Sequence, residues 1–178
     1  ESQLKKALAY AERVAKERTA RASRVEKALG DAIARAGYEL LTGGGRGTMT
    51  AVSRGFTRVW PRTGRCLAIL RGEASGVPLP GYPNRFVENP IFTHLPAGGV
   101  EHDSRNHLNV LSSDIIIALP GGFGTGSEIE LSIRYRKPVI VHGFWSDRFP
   151  ALASWKDVEE AMSFADVTRS RINAERNT

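Results

Sequence analysis

Cysteine is nearly absent from this sequence, since Cys66 is the only one among 178 residues. A single cysteine excludes an internal disulfide framework and any metal site built from several cysteines. No apolar run approaches the roughly 18 residues that a membrane-spanning helix needs, and no signal-peptide pattern opens the chain. We therefore expect a soluble, cytoplasmic protein that folds as one domain over residues 1–178, because that length is within the roughly 100–200 residues of an ordinary domain.

Lysine is also scarce, with six among the 25 basic residues, so arginine carries most of the net charge of +6. Acidic residues are missing from residues 46–71, a segment that contains six arginines. Such a segment is typical of a solvated basic surface or of a contact with an anionic ligand or partner. We do not expect nucleic-acid binding, because neither a reading helix nor stacking aromatic residues accompany these arginines.

Histidines with the spacing of a zinc site are lacking as well. The four histidines are His94, His102, His107 and His142. They do not show the i, i+4 pairing on a helix that zinc proteases use. The sequence offers no good candidate for the lysine that forms a Schiff base with pyridoxal phosphate. Lys137 is the only lysine between residues 28 and 155, and it directly precedes Pro138. We expect no metal and no other cofactor.

Apolar periodicity predicts an α/β fold. Residues 2–36 have helical spacing and form a helical N-terminal segment. Predicted strands then cover residues 38–42, 66–70, 91–95, 114–119 and 138–142. Predicted helices cover residues 47–56, 105–113, 125–136 and 155–164, and residues 165–178 form a basic tail. This alternation indicates a Rossmann-like, doubly wound parallel sheet with helices on both faces.

Two strand–turn–helix units carry glycine-rich turns, LLTGGGRGTM at residues 40–49 and ALPGGFGT at residues 118–125. Glycines let backbone N–H groups approach an anion, and the helix that follows adds its N-terminal dipole. Both turns follow strands at the edge where open α/β sheets bind ligands. The alternative for either turn is a tight connection without a ligand. The predicted phosphate-binding residues are Gly43, Gly44, Gly45, Gly47, Thr48, Pro120, Gly121, Gly122, Gly124 and Thr125.

The second turn resembles the signature of a known family. Residues 120–128, PGGFGTGSE, match the PGG-x-GT-x-x-E pattern of the "lonely guy" phosphoribohydrolases, often labelled lysine decarboxylases, and residues 43–49 resemble that family's GGG-x-x-G-x-M turn. Arg105 stands where the family has an arginine. The resemblance implies hydrolysis of a nucleoside 5′-monophosphate to free base and ribose 5-phosphate, and a helix-mediated homodimer.

The chain departs from that family within the site. Asn106 replaces a lysine, and the acidic pair of the signature is reduced to Ser127-Glu128. Residues 1–178 also contain no counterpart of the family's first strand. In these departures the chain looks like a broader branch of the superfamily that also resembles the molybdenum-cofactor carrier proteins, which bind a ligand without cleaving it. The alternative function is therefore a non-catalytic carrier of a nucleotide or of the molybdenum cofactor.

Two residues are the candidates for catalysis. Glu128 would stabilise an oxocarbenium-like sugar or activate water, or would form a capping box with Thr125 at a helix start. Arg105 would hold the phosphate or the base through two parallel hydrogen bonds, or would be a surface arginine. Asn106 would bond the ribose or the phosphate. Asp114 is the first residue of a predicted apolar strand, and we expect its carboxylate to have a structural role.

Overall fold

A computed structural model describes residues 23–178. The predicted helix over residues 2–36 lies outside the described residues as far as residue 22, and residues 23–35 are helical (α1). Gly37, with φ of 75°, ends this helix in the left-handed conformation that glycine adopts readily. Its N–H donates to the carbonyl of Ala34, and the N–H of Tyr38 donates to that of Ile33.

Strands and helices alternate after α1. The strands are β1 (Leu40–Thr42), β2 (Cys66–Ile69), β3 (Asn89–Ile91), β4 (Ile116–Ala118), β5 (Val139–His142) and β6 (Ser154–Trp155). The α-helices are α2 (Thr48–Thr57), α3 (Asn106–Ser112), α4 (Phe123–Arg134) and α5 (Val158–Arg176). A short 3-10 helix, Gly143–Trp145, follows β5. In the described part of the chain, no helix is long and apolar enough to cross a membrane.

The strands form two parallel sheets, with the orders β1-β2-β3 and β4-β5-β6. Leu40 is in register with Cys66, and Ile116 is in register with Val139. In each sheet the strands follow one another in chain order. The prediction of an α/β fold with parallel strands is confirmed.

One hydrophobic cluster joins the two sheets. It contains Leu29 and Ile33 of α1 and Phe56 of α2, together with side chains from both sheets, among them Leu40 and Ile140. The helical spacing of Leu29 and Ile33 places both on the face that packs against the sheets. Strands of both sheets therefore bury side chains in the same cluster, together with α1 and α2.

Several predicted boundaries are wrong. The strand predicted at residues 91–95 is β3, which begins at Asn89 and includes Pro90. Proline is tolerated there because β3 is an edge strand that pairs only with β2. Residues 165–178 were predicted as a tail, but α5 continues to Arg176, with Asp157 capping its start. The two-residue strand β6 carried no pattern from which it could be predicted.

Candidate functional site

A cavity of about 610 Å³ lies where β1 and β4 end. Its volume is within the roughly 300–1,000 Å³ typical of small-molecule sites. Ten of the predicted site residues line it: Gly43, Gly47, Thr48, Arg105, Asn106, Gly121, Gly122, Gly124, Thr125 and Glu128. Gly44, Gly45 and Pro120 are not among the lining residues, although they belong to the same two turns. The structure therefore brings the two glycine turns together around one cavity.

In the first glycine turn, the N–H groups of Gly44 and Gly45 donate hydrogen bonds to side chains of the protein. The N–H of Gly44 donates to Oγ1 of Thr42 at 3.1 Å, and the N–H of Gly45 donates to Sδ of Met49 at 3.4 Å. Gly44 has φ of 72°, a conformation that favours glycine. These two glycines shape a tight, buried turn, and their N–H groups do not reach the cavity.

A buried carboxylate from another helix occupies the start of α2. Oγ1 of Thr48 lies 3.0 Å from Oε1 of Glu26 and 3.3 Å from the carbonyl oxygen of Pro120. Glu26 is only 5% exposed, and burial raises its pKa against the opposing effect of the Thr48 hydrogen bond. Because a carboxylate already lies beside the positive end of the α2 dipole, this helix start has less need of a bound anion.

At the start of α4, in contrast, no acidic side chain among residues 23–178 makes a hydrogen bond like that of Glu26 with Thr48. Its N-cap is Gly122, which offers no side-chain hydrogen bond, and the first turn contains no acidic residue. The predicted capping box of Thr125 and Glu128 is wrong, because α4 begins at Phe123 and both residues lie inside the helix. A helix start leaves N–H groups without a backbone partner. The second glycine turn is therefore the better anion site of the two.

Arg105 lines the same cavity and is buried. It immediately precedes α3 and is 5% exposed, so the alternative of a surface arginine is wrong. The guanidinium rests on Gly43, where a Cβ atom would lie 2.7 Å from Cζ of Arg105. Nε and Nη1 are buried and have no hydrogen-bond partner among the described residues. Burial lowers the pKa of Arg105, and the charge of Arg71 lowers it further, whereas Glu128 and Tyr82 raise it.

Glu128 is held beside Arg105 by a residue that the sequence did not single out. Its Oε1 accepts a hydrogen bond from Nδ2 of Asn109 at 3.0 Å and lies 3.8 Å from Nη1 of Arg105. Burial raises the pKa of Glu128, and the contacts with Asn109 and Arg105 oppose that shift. Asn109 follows Arg105 by four positions. That spacing on a helix face was the signal from which its place in the site could have been predicted.

Asn106 connects the two helices that border the cavity. It is 1% exposed, and its Nδ2 donates to Oγ of Ser127 at 2.8 Å. The Ser127 hydroxyl in turn donates to the carbonyl of Gly124 at 2.8 Å. The Asn106 amide therefore holds the first turn of α4 against α3 through a hydrogen bond. The residue also lines the cavity.

Two further arginines and a tyrosine reach the cavity, namely Arg46, Arg71 and Tyr82. Arg62, from the same basic segment, instead pairs with Glu88 and is nearly buried. The arginines of residues 46–71 are thus divided between the cavity and other surroundings and do not share one face. Arg46 could have been noticed from its place in the glycine turn, whereas Tyr82 follows no recognisable motif.

His107 and Asp114 make hydrogen bonds and ion pairs with other residues of the protein. Both ring nitrogens of His107 are engaged, one by the Tyr135 hydroxyl at 2.6 Å and the other by the carbonyl of Glu101 at 2.8 Å. Asp114 is exposed and pairs with Arg176 at 2.9 Å, ahead of the first residue of β4. Within residues 23–178, no three His, Cys, Asp or Glu side chains gather as metal ligands would.

Replacing Glu26 with glutamine is expected to stabilise the protein increasingly as the pH rises. The folded state holds the Glu26 proton more tightly than the unfolded chain, where the pKa is near 4.5. The parent therefore loses stability as the pH rises through the raised pKa, while glutamine does not ionise. Thermal unfolding between pH 4 and pH 8 measures this as a difference in Tm that widens with pH. A constant difference would contradict it.

The comparisons with known proteins agree with this architecture. A model of the SLOG cluster4 family matches residues 12–172. An uncharacterised protein of Archaeoglobus fulgidus is 30% identical over 127 residues, which cover 67% of this chain and 74% of that protein.

Two solved structures have the same fold. The molybdenum cofactor carrier protein of Chlamydomonas reinhardtii is 27% identical with a TM-score of 0.67, and the match covers 84% of this chain and 89% of that one. The molybdenum cofactor binding protein of Rippkaea orientalis is 28% identical with a TM-score of 0.66, over 82% of this chain and 86% of that one. With its two glycine turns around one cavity and the family match over most of its length, this chain belongs to the SLOG cluster4 family.

Proposed function

We propose that this protein binds a phosphorylated small molecule in the cavity between the two glycine turns and serves as its carrier. The observation that carries this proposal is the buried guanidinium of Arg105, whose Nε and Nη1 lack hydrogen-bond partners among the described residues. Buried donors without acceptors are costly, and a charged one most of all. An anion at the start of α4 would supply the missing acceptors and would also interact favourably with the helix dipole.

The molybdenum cofactor is the first candidate ligand. Two neighbours in structure carry or bind it, at 27% and 28% identity over most of this chain. It is a pterin with a terminal phosphate, so the phosphate would bind at Gly121, Gly122 and Arg105. The apolar residues of the cavity, such as Val52 and Ile117, would contact the rest of the molecule. The protein would be a carrier and the cofactor its cargo.

Hydrolysis of a nucleoside 5′-monophosphate is the second candidate function, and Glu128 is the observation that favours it. Burial raises the pKa of Glu128, which keeps the protonated form populated at higher pH, as a general acid requires. The rate would then fall as the pH rises through that pKa. Against this function, glycoside hydrolysis usually employs two carboxylates, and Glu128 is the one acidic residue among residues 23–178 that lines this cavity. The homodimer stays a prediction.

A ligand panel separates the two functions. The protein is incubated with nucleoside 5′-monophosphates and, under anaerobic conditions, with the molybdenum cofactor, and both binding and release of free base are measured. As a carrier it binds with no base released, and Glu128→Gln still binds. Release of base by the parent but not by Glu128→Gln would establish the hydrolase instead. Failure of every phosphorylated ligand to bind would contradict both.

A further inference from the structure

Arg71 reaches the cavity from the long segment between β2 and α3 and is fixed in place there. Its Nε donates to the carbonyl of Pro96 at 2.6 Å, and its own carbonyl accepts from the N–H of Leu79 at 3.1 Å. The side chain passes beside Gly98, where a Cβ atom would lie 3.6 Å from Nε. Among residues 23–178, the terminal nitrogens Nη1 and Nη2 make no hydrogen bond. An arginine anchored through Nε in this way can present both terminal nitrogens to a ligand.

The same segment brings Arg71 close to the start of α4. A Cβ atom at Gly98 would contact Arg71, and one at Gly99 would lie 3.5 Å from the ring of Phe123, the first residue of α4. Consecutive Cα atoms are about 3.8 Å apart. Arg71 also lines the same cavity as Gly121 and Gly122, the turn that we propose binds phosphate, and it comes from a different chain segment from Arg105.

The two guanidinium groups oppose each other electrostatically. Arg71 and Arg105 line the same cavity, and the charge of Arg71 lowers the pKa of Arg105. Arg46 also lines the cavity, and among residues 23–178 Glu128 is its one lining carboxylate. Like charges in a partly buried site repel, and the repulsion is relieved when an anion lies between them. An anion with two charges relieves it more completely than an anion with one.

We propose that Arg71 and Arg105 hold the same terminal phosphate from two sides, so that the site selects dianionic phosphomonoesters over monoanionic phosphodiesters. This inference rests on the proposed function, in that it assumes a phosphorylated ligand at the start of α4. It makes Arg71 responsible for the larger part of the discrimination by charge, because Arg105 already lies 3.8 Å from the carboxylate of Glu128. The segment between β2 and α3 thereby takes part in specificity.

The test uses two ligands that differ in charge. Titration calorimetry at pH 8 measures the affinity for AMP, whose phosphate is dianionic there because its second pKa is about 6, and for its methyl phosphodiester, which keeps one charge. The parent is expected to prefer AMP by roughly 10-fold or more, the size of a charge-assisted hydrogen-bond pair. Arg71→Gln is expected to bring the preference close to 1, and Arg71→Lys to retain part of it.

Arg85→Gln is the matched control, since Arg85 belongs to the same segment but stacks on Phe86 and does not line the cavity. It is expected to keep the full preference of the parent. An unchanged preference in Arg71→Gln, or a parent that does not distinguish the two ligands, would overturn the inference while leaving the proposed function intact. If neither AMP nor inorganic phosphate binds the parent, the inference is overturned, and the proposed function fails as well only if the molybdenum cofactor also does not bind.

Discussion

Replacing Arg105 with methionine is expected to abolish binding of the anionic ligand and to lower the stability of the fold. The residue is 5% exposed, and its Nε and Nη1 have no hydrogen-bond partner among the described residues, although Nη1 lies 3.8 Å from Oε1 of Glu128. Methionine fills a similar volume without a charge, but it leaves Glu128 without its cationic partner, and removing one member of such a pair is destabilising. Loss of the donors should weaken phosphate or AMP binding by roughly 100-fold.

Thermal unfolding and titration calorimetry check the two halves of this expectation separately. Arg148→Met is the control, because Arg148 is exposed, pairs with Glu130 and does not line the cavity. This substitution should leave ligand binding unchanged and should change the free energy of unfolding only slightly. Gly43→Ala is a second way to disturb the same group, since a Cβ atom there would overlap the Arg105 guanidinium. Normal binding in Arg105→Met would show that the unpartnered nitrogens are not the anion site.

Gly55→Ala is expected to cost about 3 kcal/mol of unfolding free energy, as severe overpacking does. A Cβ atom at Gly55 would overlap the carbonyl oxygen of Lys27 and lie 2.7 Å from its carbon, so α2 meets α1 there backbone to backbone. Gly30 of α1 lies equally close to the backbone of α2, since a Cβ atom added there would lie 2.8 Å from the backbone nitrogen of Phe56. The helix propensity gained by alanine, about 1 kcal/mol, does not compensate for the overlap.

Chemical denaturation measures this loss, and Gly124→Ala is the matched control. Gly124 is also a glycine inside a helix, and a Cβ atom there would have no neighbour within 4 Å. Its substitution should be neutral or slightly stabilising. If Gly55→Ala were as stable as Gly124→Ala, α1 and α2 would not be in the backbone contact that the structure shows.

The elements with strong local signals were predicted well. The apolar run around Ile116 to Ala118 became a parallel strand, and Gly37 ended α1 as its conformational freedom requires. Both glycine turns came to border one cavity, because the carboxyl ends of parallel strands meet at one edge. The weak points were short or unusual elements, namely β6 with two residues and β3 with an internal proline.

The roles of the site residues depended on partners that are distant in the sequence. The two glycine turns look equivalent as sequences, yet Glu26 of α1 lies beside the start of α2, and no acidic residue occupies the first turn of α4. Asn106 lines the cavity, where it is predicted to bind the ligand, and it also donates a hydrogen bond from Nδ2 to Ser127. Neither outcome could be predicted from residues adjacent to the turns.

By itself, the sequence of this protein determined the α/β class, the two glycine turns and the presence of Arg105 and Glu128, because periodicity, backbone freedom and charge are properties of a residue and its near neighbours. Only the tertiary structure decided that Arg105 is buried on Gly43 without full hydrogen bonding, and that Arg71 and Tyr82 arrive at the same cavity from a long irregular segment. Burial and the meeting of like charges arise when distant segments pack together, and no local pattern encodes them.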